Sequence, residues 1–343
     1  MLTELEIQGF RCFPSLTAKP LGRVNLLVGK NNSGKTAFLD AVELLAWDGA
    51  RTPFLRSLVR RSEYGRETVE ESPGRLISKF DFYPMHLFHG HRLSQGTEFF
   101  IQAPGREVRC SYEYANRILR IHRVPTASEP PTHLTANGIH SVATGQFEEA
   151  MHHQPPGRTP VLFLPTERAD VPLLSRLWDE VQLTDDESLI PAALRFIEPG
   201  VEKVGRRGEG ENLHFVVRLK GDKEPRRLGS LGDGMRHILA LALHLVPAKD
   251  GYLLIDEIDT GLHYSVLAQM WRMVIESARR LNIQVFATTH SMDCIQALAE
   301  VHQQMKLTPE DLMLHRLEPD LGKTISYTPD EIVDAAQFHG EVR

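Results

Sequence analysis

The chain has 343 residues, 24% of them charged and 41% hydrophobic, with a formal net charge of -6. That length can bury a sizeable core in one large domain or two, and the ordinary composition excludes a disordered chain. A pI near 6.2 gives no global attraction to nucleic acid, so any such contact has to come from a local basic patch.

Cys12, Cys110 and Cys294 are widely spaced and form no C-x-x-C pair, which argues against a disulfide framework or a zinc knuckle and fits a reducing compartment. The opening Met1-Leu2-Thr3-Glu4-Leu5-Glu6 is acidic and lacks the apolar core of a secretory signal. The longest apolar candidate, Ile238 to Val246, contains His244 and falls well short of the roughly 20 residues that span a bilayer. A cytoplasmic protein with no membrane partner is expected.

Leu2 to Gly9 alternates Leu5 and Ile7 with Glu4, Glu6 and Gln8, the period of a half-buried strand. Leu16 to Ala18 and Val24 to Val28 read as further strands. The stretch Gly29-Lys30-Asn31-Asn32-Ser33-Gly34-Lys35-Thr36 then matches G-x-x-x-x-G-K-[ST], and Thr36 to Trp47 carries apolar residues at helical spacing. A strand, this loop and a helix make a phosphate cradle. Gly29 and Gly34 let the backbone turn so that N–H groups, those of Asn31, Asn32 and Ser33 among them, converge on phosphate oxygens at a helix N-terminus. Lys35 is expected to reach the β- and γ-phosphates of ATP, and the Thr36 hydroxyl to help hold Mg²⁺.

From Arg51 to Arg66 five arginines face a single acid, Glu63. Phe54, Leu55, Leu58 and Val59 sit at spacings of a short amphipathic helix with arginines on its outer face. Two readings stay open for Arg51, Arg56, Arg60 and Arg61: a solvated helix face, or a contact to DNA or RNA phosphates. Leu76–Phe82, Thr97–Gln102, Glu107–Tyr114 and Arg117–His122 alternate like strands of a meander. His86, His89, His91 and the pair His152-His153 invite a metal, but no cysteine or nearby carboxylate completes a ligand set, and polar surface is the plainer reading. Pro125 to Pro131 and His152 to Pro160 read as loops. Val161–Leu164 reads as a strand, Leu173–Leu183 and Leu189–Phe196 as helices, Gly205–Gly210 as a basic turn and His214–Lys220 as a strand.

The last third returns to chemistry. Leu228-Gly229-Ser230-Leu231-Gly232-Asp233-Gly234-Met235-Arg236 precedes a Leu- and Ala-rich helix, again offering N–H groups to an anion. Tyr252-Leu253-Leu254-Ile255 is an apolar strand ending in Asp256-Glu257. At the carboxyl end of a parallel strand Asp256 is placed to hold Mg²⁺ beside Thr36, and Glu257 to orient and deprotonate an attacking water. Ile283 to Thr289 is a second apolar strand closed by His290, whose imidazole can hydrogen-bond a γ-phosphate or that water. Leu312–Leu317 and Thr324–Tyr327 read as a hairpin before a final helix.

Phosphate loop, glycine-rich signature, acid-ended strand and strand-end histidine, in that order, resemble the ABC-type ATPases. The opening Leu5-Glu6-Ile7-Gln8-Gly9-Phe10-Arg11-Cys12-Phe13, the loop GKNNSGKT, Gly261 to His263 and Thr288 to Ser291 resemble the OLD-like and SMC-like branch, over nearly the whole chain. The resemblance implies an α/β fold: an ABC-type P-loop core, a mixed β-sheet with flanking helices, carrying an inserted β-rich and helical lid. Its segments would be 1–50 with the phosphate loop, 51–225 as the insert, and 226–343 with signature, Asp256-Glu257 and His290. It also implies an ATP-driven homodimer in which Gly232, Asp233 and Gly234 of one subunit meet the γ-phosphate held by the other, with Asp259 to His263 crossing the interface.

Three departures qualify the resemblance. Gly232 stands where the signature usually has Ser, with Ser230 two residues away. Gln95, Gln102 and Gln146 are the candidates for a metal-coordinating glutamine. After His290 the expected elements leave no room for the nuclease domain of OLD proteins, and no heptad array supplies SMC arms. The expectation is an ATPase switch for nucleic-acid-directed defence or repair with a separate effector, a nuclease or toxin chain. A nucleotide-dependent scaffold with little turnover and a transporter ATPase subunit are the alternatives.

Overall fold

The computed structural model describes residues 1–47, 51–72, 75–113, 118–124, 142–143, 159–167 and 170–337. Strands β1 (Leu5–Phe10) and β2 (Phe13–Ala18) form a hairpin, and β3 (Val24–Val28) leads through the phosphate loop into α1 (Lys35–Ala46) and α2 (Arg51–Arg60). Next come β4 (Tyr64–Ser72), β5 (Arg75–Phe82), β6 (Glu98–Ala103), β7 (Arg106–Glu113), β8 (Ile118–Val124) and the two-residue β9 (Val142–Ala143). After β10 (Val161–Leu164) the chain forms α3 (Val171–Val181), α4 (Leu189–Leu194), β11 (Val201–Arg207), β12 (His214–Leu219) and β13 (Arg226–Arg227). The last third runs α5 (Asp233–Leu245), β14 (Tyr252–Ile255), α6 (Tyr264–Arg280), β15 (Gln284–Thr288), α7 (Met292–Met305), β16 (Leu312–Glu318), β17 (Lys323–Tyr327) and α8 (Pro329–Gln337).

Eleven strands make the central sheet, in the order β10-β14-β15-β3-β16-β17-β2-β1-β6-β7-β8. The first five are mutually parallel, which puts the ends of β10, β14, β15 and β3 on one edge, where α/β sheets hold ligands. From β1 outward the pairing is antiparallel. The expected boundaries at 50/51 and 225/226 do not separate sheets, because β6–β8 and β10 are strands of this same sheet. Small sheets β11-β12-β13 and β4-β5-β9 stand beside it. The basic turn expected at Gly205–Gly210 is in its first part strand, with Gly205 paired to Val216.

Strand alternation sorts the core into two layers. Val24, Leu26, Val28, Leu253, Ile255, Val285 and Ala287 face α3 to α8. Leu27, Leu254 and Phe286 point the other way, onto α1, α2 and the antiparallel strands. Strands covered on both faces have to be apolar throughout, as Val24–Val28 and Tyr252–Ile255 are. One buried polar exception, Asn25, is satisfied by Gly22, Val285 and His315.

Arg56 and Arg60 of α2 turn toward α1 and do not form an outer face. Asp40 and Glu43 of α1 are fully buried, and Arg60 bonds both. Arg61 bonds Asp40 at 3.2 Å, and Arg56 lies 3.7 Å from Glu43 with its guanidinium over the Trp47 ring. Arg11, from the β1–β2 turn, adds pairs to Asp40 and Glu63. Charges this buried have to find partners, and α1 supplies them. That corrects the phosphate-contact reading for Arg56 and Arg60; Arg61 pairs with Asp40 but is exposed, and the side chain of Arg51 lies outside the described residues.

Candidate functional site

The phosphate loop closes over the N-terminus of α1. Gly29 and Gly34 have φ of 144° and 93°, and Asn32 is left-handed at 64°. Glycine at 34 answers two demands at once, because a Cβ there would stand 2.5 Å from both Cys12 Sγ and the Phe13 ring. The β1–β2 turn therefore braces the loop from behind. Asn31 and Asn32 are exposed, while Ser33 and Lys35 are buried. Lys35 Nζ donates to the carbonyls of Gly29 and Lys30, each at 3.0 Å, which keeps the ammonium inside the curve of the loop. Burial lowers the Lys35 pKa, against the pull of Asp256 and Glu257. With no acid in the first turn of α1, its free N–H groups meet an anion without a competing charge.

Asp256 and Glu257 follow β14 directly and face this loop. Thr36 Oγ1 donates to Asp256 Oδ2 at 2.9 Å, and Thr288 Oγ1 donates to Oδ1 at 2.7 Å. The same Thr288 hydroxyl accepts the Glu257 backbone N–H at 2.8 Å. Glu257 sits at φ 51°, in the left-handed region, and the Ile258 N–H continues to the Thr288 carbonyl. Its carboxylate is part-exposed, 4.0 Å from His290 Nε2 and 3.4 Å from the Thr260 hydroxyl. Partial burial and the Lys35 charge lower the His290 pKa against the carboxylates of Glu257, Asp256 and Asp259, so the imidazole is neutral near pH 7. Thr289 bonds Asp259 at 2.5 Å and Leu27 through its N–H, tying the end of β15 to the phosphate-loop strand.

The expected centre is thus assembled at one sheet edge: Lys35, Thr36, Asp256, Glu257 and His290 are linked by contacts or by the charges they feel. Sequence reasoning passed over Thr288, whose single hydroxyl serves both acid positions. Its signals were a threonine pair ending an otherwise apolar strand and its place in the Thr288–Ser291 stretch that carries the resemblance. A hydroxyl and a carboxylate this close fit a hard divalent cation, which takes oxygen ligands and retains water. Thr36 and Asp256 would hold Mg²⁺, which would neutralise phosphate charge. Among the described residues no group of three or more His, Cys, Asp or Glu converges on a metal position. His86 and His91 meet through their Nδ1 atoms at 3.2 Å and His89 bonds the Arg11 carbonyl, while His152 and His153 lie outside the described residues.

Gly232, at φ 97°, caps α5, and Asp233 and Gly234 open that helix. Ser230 Oγ is turned back onto the Arg227 carbonyl at 2.7 Å, and Arg236 bonds Asp233 and the Gly229 carbonyl. Gln102 is engaged by Glu6 at 2.5 Å inside the β1–β6 pair, Gln95 is exposed in the loop before β6, and Gln146 lies outside the described residues. The carboxyl end of β10, beside the Asp256 strand, carries Thr166 and Glu167 instead. No helix among the described residues is long and apolar enough to cross a membrane.

The family described as "AAA domain, putative AbiEii toxin, Type IV TA system" matches residues 149–293, and the family described as "AAA ATPase domain" matches residues 1–72. An ATP/GTP phosphatase of Helicobacter pylori is 20% identical, with 88% of each chain covered. An uncharacterized protein of Methanocaldococcus jannaschii is 40% identical over 70 residues; the match takes in 20% of this chain and spans 61% of that protein. The Pyrococcus furiosus Smc head domain, solved with an extended coiled coil and bound to the C-terminal domain of ScpA, shares the fold at a TM-score of 0.52. It is 12% identical, with 98% of this chain and 99% of that chain covered.

Proposed function

We propose that the chain is a P-loop ATPase of the AAA family, of the SMC-like, ABC type, that works as an ATP-driven dimerising switch for a separate effector in nucleic-acid-directed defence or repair; the two family matches, the ATP/GTP phosphatase relative and the shared Smc-head fold support it. The observation that carries this reading is the hydrogen-bonded chain Thr36–Asp256–Thr288–Glu257, which joins the phosphate loop to the candidate general base within one subunit.

In this reading the N–H groups of Gly29 to Thr36 and the Lys35 ammonium bind the phosphates of ATP, with Asn31, Asn32 and Ser33 shaping the loop. Thr36 and Asp256 hold Mg²⁺. Glu257 accepts a proton from the attacking water, and neutral His290, 4.0 Å away, hydrogen-bonds that water or the γ-phosphate. Gly232, Asp233 and Gly234 offer helix N–H groups to the nucleotide of a second subunit, so turnover needs two copies. The effector, a nuclease or toxin chain, would carry the nucleic-acid specificity, since Arg56, Arg60 and Arg61 are engaged by Asp40 and Glu43. A toxin–antitoxin description attached to one matching family and the ScpA-bound Smc head lend support to a partnered switch.

Glu257→Gln keeps the site's shape while removing its base, so the variant should form a stable dimer with ATP in sedimentation velocity. A variant that stays monomeric with saturating ATP would overturn the two-subunit reading. One observation favours a scaffold with little turnover: the hydroxyl nearest the signature, Ser230, is bonded within its own turn. Phosphate release that is measurable in the native chain and abolished by Lys35→Ala would exclude it.

A further inference from the structure

The signature helix α5 and the segment that follows Glu257 touch at two points in the same subunit. His237 Nε2 lies 2.8 Å from the Ile258 carbonyl, and that carbonyl can only accept, so the ring carries its proton on Nε2. One turn earlier, Gly234 comes so close to the loop that a Cβ would lie 3.0 Å from the Gly261 carbonyl. Gly261 itself is at φ 71°, with its position for a side chain against Asp233. Burial lowers the His237 pKa, and Ile258 and Asp259 only partly oppose it, so the ring is a neutral donor at physiological pH.

Beside this contact the first two turns of α5 border a cavity of about 590 Å³. Asp233, Arg236 and His237 line it together with Thr260 and Gly261, and Leu174 of α3 and Phe215 of β12 form part of its apolar wall. The start of α5 is therefore packed on the acid-bearing segment through Gly234 and His237 and on its own lobe through Ile197 and Met235, while Asp233, Arg236 and His237 leave open space along the cavity. A small displacement of the helix can be taken up by the cavity and passed on through the His237–Ile258 bond.

We propose that His237 is a positioning residue that couples the signature turn of each subunit to Glu257 of the same subunit. The inference rests on the two-subunit reading above and specifies its regulation. When the signature turn, Gly232 to Gly234, closes on the partner's ATP, α5 shifts, and His237 sets the Ile258 carbonyl and with it the backbone that aims the Glu257 carboxylate. Each subunit thereby reads the nucleotide held by its partner before firing on its own. His237 acts through the Ile258 carbonyl.

The test compares steady-state ATP turnover in the full chain. Removing one hydrogen bond that aligns the base should lower kcat for His237→Leu roughly tenfold while KM for ATP stays within about twofold. His237→Gln, which keeps a donor at the ε position, should restore kcat to within about threefold of the native chain. His237→Asn, whose amide stops short of the carbonyl, should repeat the loss and stands in if the leucine variant does not fold. Native kcat in the leucine or asparagine variant, or a loss that glutamine does not restore, overturns the coupling. In the Glu257→Gln background His237→Leu should dimerise with ATP as the parent does. If Glu257→Gln itself stays monomeric, the two-subunit reading fails; if it dimerises and His237→Leu turns over normally, the coupling alone fails.

Discussion

Asp40→Asn tests whether the phosphate-loop helix depends on its buried ion network. Asp40 is fully buried in α1, with Oδ1 2.7 Å from Arg60 and Oδ2 3.1 Å from Arg11 and 3.2 Å from Arg61. Burial alone would raise its pKa, but Arg60, Arg11 and Arg61 outweigh it and hold the carboxyl at about 2 instead of 3.8. At about 1.4 kcal/mol for each step of one in pKa, that depression corresponds to roughly 2–3 kcal/mol of folding stability. Because the folded value is the lower one, the contribution is complete above pH 3.8 and is lost as pH falls through about 2. At pH 7 the asparagine leaves three guanidinium groups short of a charge, a deficit that costs about 3–5 kcal/mol where burial is complete. Urea unfolding at pH 7 should show that loss, and the gap between native and variant chains should narrow by about 2 kcal/mol between pH 4 and pH 2. A loss under about 1 kcal/mol at pH 7 would mean that the network behaves like an exposed pair, and the argument from burial would be refuted.

Two further outcomes concern the site. Thr288→Val removes the donor to Asp256 and the acceptor of the Glu257 N–H together, so kcat for ATP should fall roughly 10- to 100-fold with nucleotide binding largely kept; a change below threefold in steady-state assays would deny the hydroxyl its bridging role. His290, held below its ordinary value and hence neutral at pH 7, should give turnover that is level from about pH 7 to 8.5 and declines below about pH 6.5; a His290→Ala variant that retains the same acid limb would assign that limb to another group.

Local chemistry was legible in the sequence and long-range pairing was not. The phosphate loop needs only eight consecutive residues and its flanks, and the period of Val24–Val28, Tyr252–Ile255 and Gln284–Thr288 marks buried strands without any knowledge of their neighbours. No such local rule puts β16 between β3 and β17, or joins the β6–β8 meander to β1 as an extension of the central sheet. The arginines of α2 illustrate the limit. Read alone, 51–66 is a basic amphipathic helix, but Arg56 and Arg60 turn inward because Asp40 and Glu43, on a helix otherwise apolar after its first two residues, need partners. Two acids in an apolar helix were the available signal, and they pointed at a neighbour the sequence does not name. Gly205 misled for a similar reason, since pairing with Val216 holds it in a strand despite its turn propensity.

The conformation at Glu257 shows why the hydrolytic segment is built from so many backbone contacts. A non-glycine residue at φ 51° costs on the order of 1–3 kcal/mol. Three hydrogen bonds hold it there: the Glu257 N–H to Thr288 Oγ1, the Ile258 N–H to the Thr288 carbonyl, and His237 Nε2 to the Ile258 carbonyl. At about 1 kcal/mol net for each, they offset the strain with little to spare. The carboxylate is therefore aimed by a balance that one lost bond can tip, and the bonds come from two elements with different duties. Thr288 belongs to a strand locked between β14 and β3, so its contribution is constant. His237 belongs to the helix that opens at the signature turn, so its contribution follows that turn. In the proposed switch a candidate base held by one fixed and one movable support would act only when both agree, which is the arrangement a switch requires and a constitutive hydrolase does not.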